Sequence, residues 1–122
     1  GASAVFVGGI ISYSNELKHK LLDVKNDTLE KHGAVSKAVA LEMAEGARAA
    51  TGADHTLSVT GIAGPGGGST EKPVGTVWLG LASAGERPLA VKKHHPYNRE
   101  TFKQASVNQS LELLRRRIQR DC

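Results

Sequence analysis

A glycine-rich segment follows an alternating apolar stretch and constrains how the middle of this chain can fold. Five of the eight residues from 61 to 68 are glycine, and Pro65 lies among them. Glycine adopts backbone angles that other residues avoid and lets a ligand approach the main chain closely. Several N–H groups of such a loop can point toward one anion. The pattern favours a loop over about 61–73 that binds a phosphate or an oxyanion, with a flexible connection as the alternative.

Length and composition indicate one soluble globular domain. The chain has 122 residues, of which 39% are hydrophobic and 23% charged, which suits a single core. Aromatic residues make up only 4%, too few for a platform that stacks single-stranded nucleic acid. Much of the net charge of +4 comes from Arg115–Arg117 and Arg120. Because cations complement the dipole at a helix end, we expect a solvated helix end rather than a nucleic-acid or membrane partner.

Cysteine and histidine usage limits the chemistry and the compartment. Cys122 is the single cysteine, so no disulfide can form within the chain, as is usual in a reducing cytoplasm. No apolar run approaches the ~18 residues that span a bilayer, and no signal-peptide pattern is present. The five histidines are scattered and show no metal-ligand spacing. We expect a cytoplasmic protein with no metal site and no cofactor.

Hydrophobic patterns predict an α/β layered domain with a mixed sheet of about four or more strands flanked by helices. The first predicted strand is nearly continuous in apolar residues, as expected of a strand covered on both faces. Because it opens so near residue 1, we expect a further strand and helix upstream. The last helix is expected to turn six residues inward: Phe102, Ala105, Val107, Leu111, Leu114 and Ile118. Strands are predicted at 4–13, 55–62, 75–82 and 89–94, and helices at 15–22, 27–32, 36–51 and 98–119.

Two polar segments follow predicted strands, at 12–18 and 60–68. Ligands of open α/β sheets bind outside the carboxyl ends of strands, so parallel strands would bring both segments to one crevice. There Tyr13 could donate a hydrogen bond to an oxyanion, and Lys18 could act as a base if burial lowers its pKa. The alternatives are a half-buried tyrosine at a strand end and a solvated lysine. Lys72 is expected on the loop surface, from which it could close over a ligand.

Five motifs in matching order resemble the CinA C-terminal domain and PncC nicotinamide-nucleotide amidase family. The resemblance extends from Gly1 to about the end of the last helix, which makes it far more specific than any single motif. The motifs are SAVFVGGIISYSNELK at 3–18, HGAVS at 32–36, EMAEGA at 42–47, VTGIAGPGGG at 59–68 and EKPVGTVW at 71–78.

The resemblance implies hydrolysis of the carboxamide of nicotinamide mononucleotide to nicotinate mononucleotide and ammonia, without a metal or cofactor. It implies a serine nucleophile assisted by Lys18 and Tyr13. Thr60 would act with the glycines that follow it in binding the substrate and stabilising the oxyanion, and Arg99 would bind the substrate phosphate. The implied substrate-binding residues are Asn15, Gly61, Gly64, Gly66, Gly67 and Arg99.

The family's Glu-Ser-Cys-Thr-Gly-Gly motif, which carries the nucleophile, is not among residues 1–122. Ser12 and Ser14 belong to a different motif and are not assigned its role. Because a Ser–Lys pair needs its serine, we expect an upstream segment to supply it. The alternatives are a non-catalytic nucleotide-binding or regulatory module and a basic protein that contacts nucleic acid through its last helix. A homo-oligomer is also considered.

Overall fold

The computed structural model describes residues 2–96 and 98–120. Cys122, for which no disulfide within the chain was expected, lies outside the described residues. The described elements are helices α1 (Asn15–Leu22), α2 (Asn26–His32), α3 (Lys37–Thr51) and α4 (Arg99–Arg120), and strands β1 (His55–Gly61), β2 (Thr76–Ser83) and β3 (Leu89–His94). These bounds confirm the four predicted helices and the last three predicted strands to within one or two residues.

Side-chain caps fix where the helices begin. The Ser14 hydroxyl accepts a hydrogen bond from the Leu17 N–H at 3.1 Å, and the Ser36 hydroxyl accepts one from Val39 at 3.3 Å. Each bond satisfies an N–H group that lacks a partner within the first turn of its helix. At the other end of α3, Gly52 adopts the left-handed conformation that commonly terminates a helix.

The described strands form a three-stranded antiparallel sheet in the order β1-β2-β3. His55 lies opposite Ser83 at one end of the β1–β2 pair, and Gly61 lies opposite Val77 at the other. The predicted α/β class is confirmed, but the described residues form an antiparallel sheet of three strands, so the predicted mixed sheet of about four or more strands is not confirmed. Residues 84–88 join β2 to β3, a short connection that favours antiparallel pairing, whereas the longer glycine-rich loop at 62–75 joins β1 to β2. Only the strand predicted at 4–13 would have been joined to the next strand through helices.

The segment predicted as the first strand is irregular. A short 3-10 helix spans Ala2–Ala4, and the chain then continues without regular structure to α1. A strand is held by hydrogen bonds to a neighbouring strand, and no described segment pairs with 5–13. The apolar side chains that pairing would have buried stay in solvent: Val5 is 85% exposed and Ile11 is 88% exposed.

Helix α3 packs closely on one face of the sheet. Its buried residues include Ala40 and Ala44, whose small side chains let the helix backbone approach the strands. On β1, the hydroxyls of Ser58 and Thr60 donate to the carbonyl oxygens of Ala40 and Ala34 at 2.7 and 2.8 Å. Polar side chains of β1 thus find hydrogen-bond partners in backbone carbonyls of α3 and of the segment just before it.

Helix α4 packs on the opposite face of the sheet in an orientation the sequence did not predict. Phe102 is buried against Val77 and Leu79 as expected. The other buried α4 residues are Ser106, Ser110 and Arg117. Three residues that were expected to face inward are instead exposed: Val107, Leu111 and Ile118.

An ion pair at the C-terminal end of α4 accounts for this rotation. The buried guanidinium of Arg117 lies 2.7 Å from the Glu86 carboxylate and donates to the Ser83 hydroxyl at 2.8 Å. That hydroxyl also bonds His55 Nδ1 at 2.8 Å. Since a buried charge is tolerated only with partners, the Arg117 face of the helix is held on the sheet while the apolar stripe turns outward.

Replacing Glu86 by glutamine should lower the free energy of unfolding by about 1–3 kcal/mol, because Arg117 would stay buried without its counter-charge and Glu86 is itself partly exposed. Urea unfolding followed by circular dichroism measures the change. Glu112→Gln is the matched control, since Glu112 pairs with Arg115 and Arg116 on the solvent side of α4. Equal midpoints for the two variants would contradict this role of Glu86.

Candidate functional site

Lys18 is a buried lysine whose amine is held by backbone carbonyls. It lies in the second turn of α1, and only 7% of its surface is exposed. The amine donates to the carbonyl oxygen of Ser12 at 2.6 Å and to that of Tyr13 at 3.2 Å. The Ser14 cap turns the chain between these carbonyls and the helix, so the residues just before α1 fold back over the Lys18 amine.

Burial lowers the pKa of Lys18 below the ordinary lysine value of 10.5, because the charged ammonium loses solvation inside the protein. A neutral amine is a base and can take a proton from a nucleophile, whereas an ammonium cannot. The condition that the sequence placed on Lys18, a pKa lowered by burial, is therefore met. A solvated surface lysine, which was the alternative, is excluded by its burial.

Tyr13 and Asn15, the two other candidate residues near Lys18, are open to solvent. The Tyr13 side chain is 89% exposed, so it is not the half-buried residue that a strand end would have produced. Asn15 is the first residue of α1 and is also exposed. Lys18 donates to the backbone carbonyl of Tyr13 and not to its hydroxyl. Both side chains are thus available to a ligand or to another segment of protein.

Thr60 is buried, and its hydroxyl is already used by the fold. It donates to the Ala34 carbonyl oxygen at 2.8 Å. Ala34 in turn packs on the apolar cluster between α1 and α3, against which Ile10 also packs. The expected crevice between parallel strands is absent from the described residues. The segment before α1 and the residue that accepts from Thr60 instead pack on the same apolar cluster, through Ile10 and Ala34.

The glycine loop has the conformation that its composition indicates. Gly64 and Gly67 have φ of 77° and 90°, in the left-handed region that favours glycine. Gly61 is packed closely against Phe102 of α4, because an added Cβ would lie 2.9 Å from the Phe102 ring. By contrast, a Cβ on Gly66 would meet nothing within 4 Å. The loop is therefore tightly held at its start and open at its tip.

The open tip carries unpaired N–H groups. Backbone hydrogen bonds tie Ile62 to Thr76 and Ser69 to Lys72, which closes the base of the loop. Within the described chain, no protein acceptor receives the N–H groups of Gly66, Gly67 and Gly68, and all three residues are exposed. Adjacent N–H groups of this kind are suited to an anion.

Arg99 joins the last helix to this loop. It is the first residue of α4, and its guanidinium donates to the Gly64 carbonyl oxygen at 3.1 Å. The side chain remains exposed, with donors to spare for an anion beside the loop. The structure thus brings two of the predicted site elements together, Arg99 and the glycines.

Other ligand classes leave little trace in the described residues. No group of three or more His, Cys, Asp or Glu side chains in the described ranges could hold a metal ion. No helix among the same residues is both long and apolar enough to cross a membrane.

Sequence reasoning missed the backbone carbonyls of Ser12 and Ala34, which accept hydrogen bonds from Lys18 and Thr60. Residue types do not reveal such partners, because every residue has a backbone carbonyl.

Comparison with known proteins identifies the family. The model of the CinA C-terminal domain family matches residues 1–118. A CinA-like protein of Leptospira borgpetersenii serovar Hardjo-bovis is 46% identical over 120 residues, which are 98% of this chain and 29% of that protein. The nicotinamide-nucleotide amidohydrolase PncC of Enterobacter agglomerans is 53% identical over 108 residues, 88% of this chain and 66% of the relative. The chain thus spans under a third of the CinA-like relative's length and about two thirds of PncC.

Solved structures agree with this assignment. The competence/damage inducible protein CihA from Agrobacterium tumefaciens superposes with a TM-score of 0.81 at 42% identity, over 84% of this chain and 62% of that one. A CinA superfamily protein from Escherichia coli gives a TM-score of 0.80 at 35% identity, over 84% and 59% of the two chains. With a family match over nearly its whole length and solved relatives of the same fold, this chain belongs to the CinA C-terminal domain family.

Proposed function

We propose that this chain is part of a cytoplasmic amidase that hydrolyses the carboxamide of nicotinamide mononucleotide, in pyridine-nucleotide recycling. The observation that carries the proposal is the buried amine of Lys18, whose lowered pKa suits a base. The 53% identity to an amidohydrolase named for nicotinamide nucleotide indicates the substrate. The products are nicotinate mononucleotide and ammonia.

The first step needs a hydroxyl nucleophile, which the family resemblance assigns to a serine upstream of this sequence. The neutral Lys18 amine takes the hydroxyl proton as the oxygen bonds to the carboxamide carbon. The electron pair of the C=O bond moves onto oxygen and forms an oxyanion. When the intermediate collapses, the C–N bond breaks, and the departing nitrogen takes the proton from Lys18 and leaves as ammonia. Water then hydrolyses the ester and restores the hydroxyl.

The glycine loop would stabilise the charge that develops in this reaction. The free N–H groups of Gly66 and Gly67 can donate to an oxyanion without rearrangement. Arg99, held beside the loop through the Gly64 carbonyl, would bind the phosphate of the substrate. Tyr13 and Asn15, exposed beside Lys18, would orient the carboxamide. Thr60 would act through its place at the start of the loop, because its hydroxyl is bonded to Ala34.

A second candidate is a nucleotide-binding or regulatory module without catalysis. It is favoured by the open glycine tip and Arg99, which suffice to bind a phosphate. This function predicts affinity for the nucleotide that Thr60→Ala weakens, with no release of ammonia.

The deciding experiment measures ammonia release from nicotinamide mononucleotide by the full-length protein that carries this sequence, with nucleotide binding measured in parallel by calorimetry. Release of one ammonia for each nicotinate mononucleotide formed supports the amidase. Binding without turnover in a folded sample would contradict the amidase and support the binding module. Absence of both would overturn both functions.

A further inference from the structure

A pocket on the α3 side of the sheet contains none of the residues proposed for the amidase. Its volume is about 280 Å³, close to the lower end of the range for small-molecule sites, about 300–1,000 Å³. The walls come from α2, the start of α3, the base of the glycine loop, β2 and β3. The lining residues that matter here are His32, Lys37, Glu71, Lys72, Trp78 and Lys92.

Positive charge dominates this lysine pocket, which we define by those six residues. Its lining includes three lysines, from α3, the glycine loop and β3, and a single carboxylate, that of Glu71. The Lys72 amine donates to the carbonyl oxygen of His32, which fixes its position but leaves its charge uncompensated. Lys37 and Lys92 form no ion pair within the described ranges. A concave surface lined mainly by one sign of charge attracts an anion more strongly than the same charges spread over a convex surface.

Trp78 supplies the apolar wall of the lysine pocket. In the sheet register it lies opposite Thr60 on β1 and Lys92 on β3, so these three residues share the face that α3 covers. The indole is half-buried, which leaves part of it open to the cavity. An indole beside lysine amines offers a surface for a planar ring and donors for an anion within one small site.

We propose that the lysine pocket binds a phosphate monoester that carries a planar ring. The amines of Lys37, Lys72 and Lys92 hold the phosphate, and the Trp78 indole contacts the ring. This inference goes beyond the amidase, because the pocket contains neither Lys18 nor Arg99 and requires no turnover. Either proposal can therefore fail while the other stands.

Trp78 also makes the proposal directly measurable, because it is the only tryptophan in the chain. Its fluorescence should change saturably when the protein is titrated with adenosine monophosphate, which provides both a ring and a phosphate. Ribose 5-phosphate, which lacks the ring, should bind at least about threefold more weakly if stacking contributes as aromatic contacts usually do. Sodium chloride at matched ionic strength should give no saturable change.

Charge variants test the phosphate contacts. Lys37→Ala and Lys92→Ala should each weaken the binding of adenosine monophosphate about two- to fivefold, as expected for exposed charge pairs. Lys93→Ala is the matched control, since it removes the same charge one residue along β3 from the opposite face of the sheet. Its affinity should equal that of the parent protein.

Three results would overturn the proposal. The first is no saturable fluorescence change with adenosine monophosphate in a folded sample. The second is equal weakening by Lys92→Ala and Lys93→Ala, which would indicate a general charge effect. The third is equal affinity for adenosine monophosphate and ribose 5-phosphate, which would exclude the ring contact.

Discussion

Replacing Lys18 by methionine in the full-length protein should abolish ammonia release from nicotinamide mononucleotide. Methionine keeps an unbranched side chain of similar size in the buried site but removes the amine that would accept the proton. Loss of a general base typically costs a factor of about 10²–10⁴, so kcat should fall at least a hundredfold. Lys18→Arg should be equally inactive, because a guanidinium stays charged. Both rates are measured at saturating substrate.

The pH dependence of the parent protein provides a second test of Lys18. Only the neutral amine acts as a base, so kcat/KM should rise with pH and level off above the pKa of Lys18. Because burial lowers that pKa below 10.5, the rise should occur at lower pH than for an exposed lysine. The same shift affects stability: between the folded and unfolded pKa values the unfolded chain binds more protons, so stability increases as pH rises through that window.

Lys20→Met is the matched control for both measurements. Lys20 lies on the same helix, is largely exposed and pairs with Glu16 at 2.8 Å on the surface. Its loss should leave kcat and the pH profile unchanged. If Lys18→Met retained the parent rate while its circular dichroism spectrum stayed normal, Lys18 would not be the base and the mechanism proposed above would be wrong.

Local signals predicted the helices of this chain well. Ser14 and Ser36 cap the starts of helices, and Gly33 and Gly52 lie at helix ends. Such caps can be recognised from sequence because capping depends on residues within one turn of the helix end. The three strands of the sheet were likewise found from short apolar runs separated by turn residues. These features need no knowledge of what lies across the fold.

Features that depend on distant partners were predicted less well. Residues 5–13 have the composition of a buried strand, but pairing requires a neighbour that no local pattern specifies. The rotation of α4 follows from the contact of Arg117 with Glu86, thirty-one positions apart in sequence, and not from its apolar stripe. For the site, spacing placed Lys18 on the right helix, but its burial depends on Ser12 and Tyr13 folding back over it.

Replacing Gly46 by alanine should strongly destabilise the protein, although alanine is the better helix former. Gly46 lies in α3, where α1 crosses it. A Cβ added there would lie 1.7 Å from the Leu22 carbonyl oxygen and 2.6 Å from the Leu22 carbonyl carbon. Since these are backbone atoms, no change of side-chain rotamer can relieve the overlap, and α1 must move away from α3.

The expected loss of stability in Gly46→Ala is the difference between the gain in helix propensity and the cost of the overlap. Alanine gains up to about 1 kcal/mol over glycine in a helix interior, whereas overpacking a closely packed contact costs about 1–3 kcal/mol and sometimes more. With a full backbone overlap, we expect a net loss at the upper end, about 2–3 kcal/mol in the free energy of unfolding. Urea unfolding followed by Trp78 fluorescence and by circular dichroism measures it.

Gly66→Ala is the matched control, because it makes the same chemical change where a Cβ would meet nothing within 4 Å. Its unfolding midpoint should stay close to that of the parent protein. A Gly46→Ala variant as stable as Gly66→Ala would show that α1 does not press on α3 at Leu22. If the clash instead shifts α1, Lys18 should shift as well, because Lys18 and Leu22 lie one turn apart on that helix. Activity in Gly46→Ala should then fall even under conditions in which the protein remains folded.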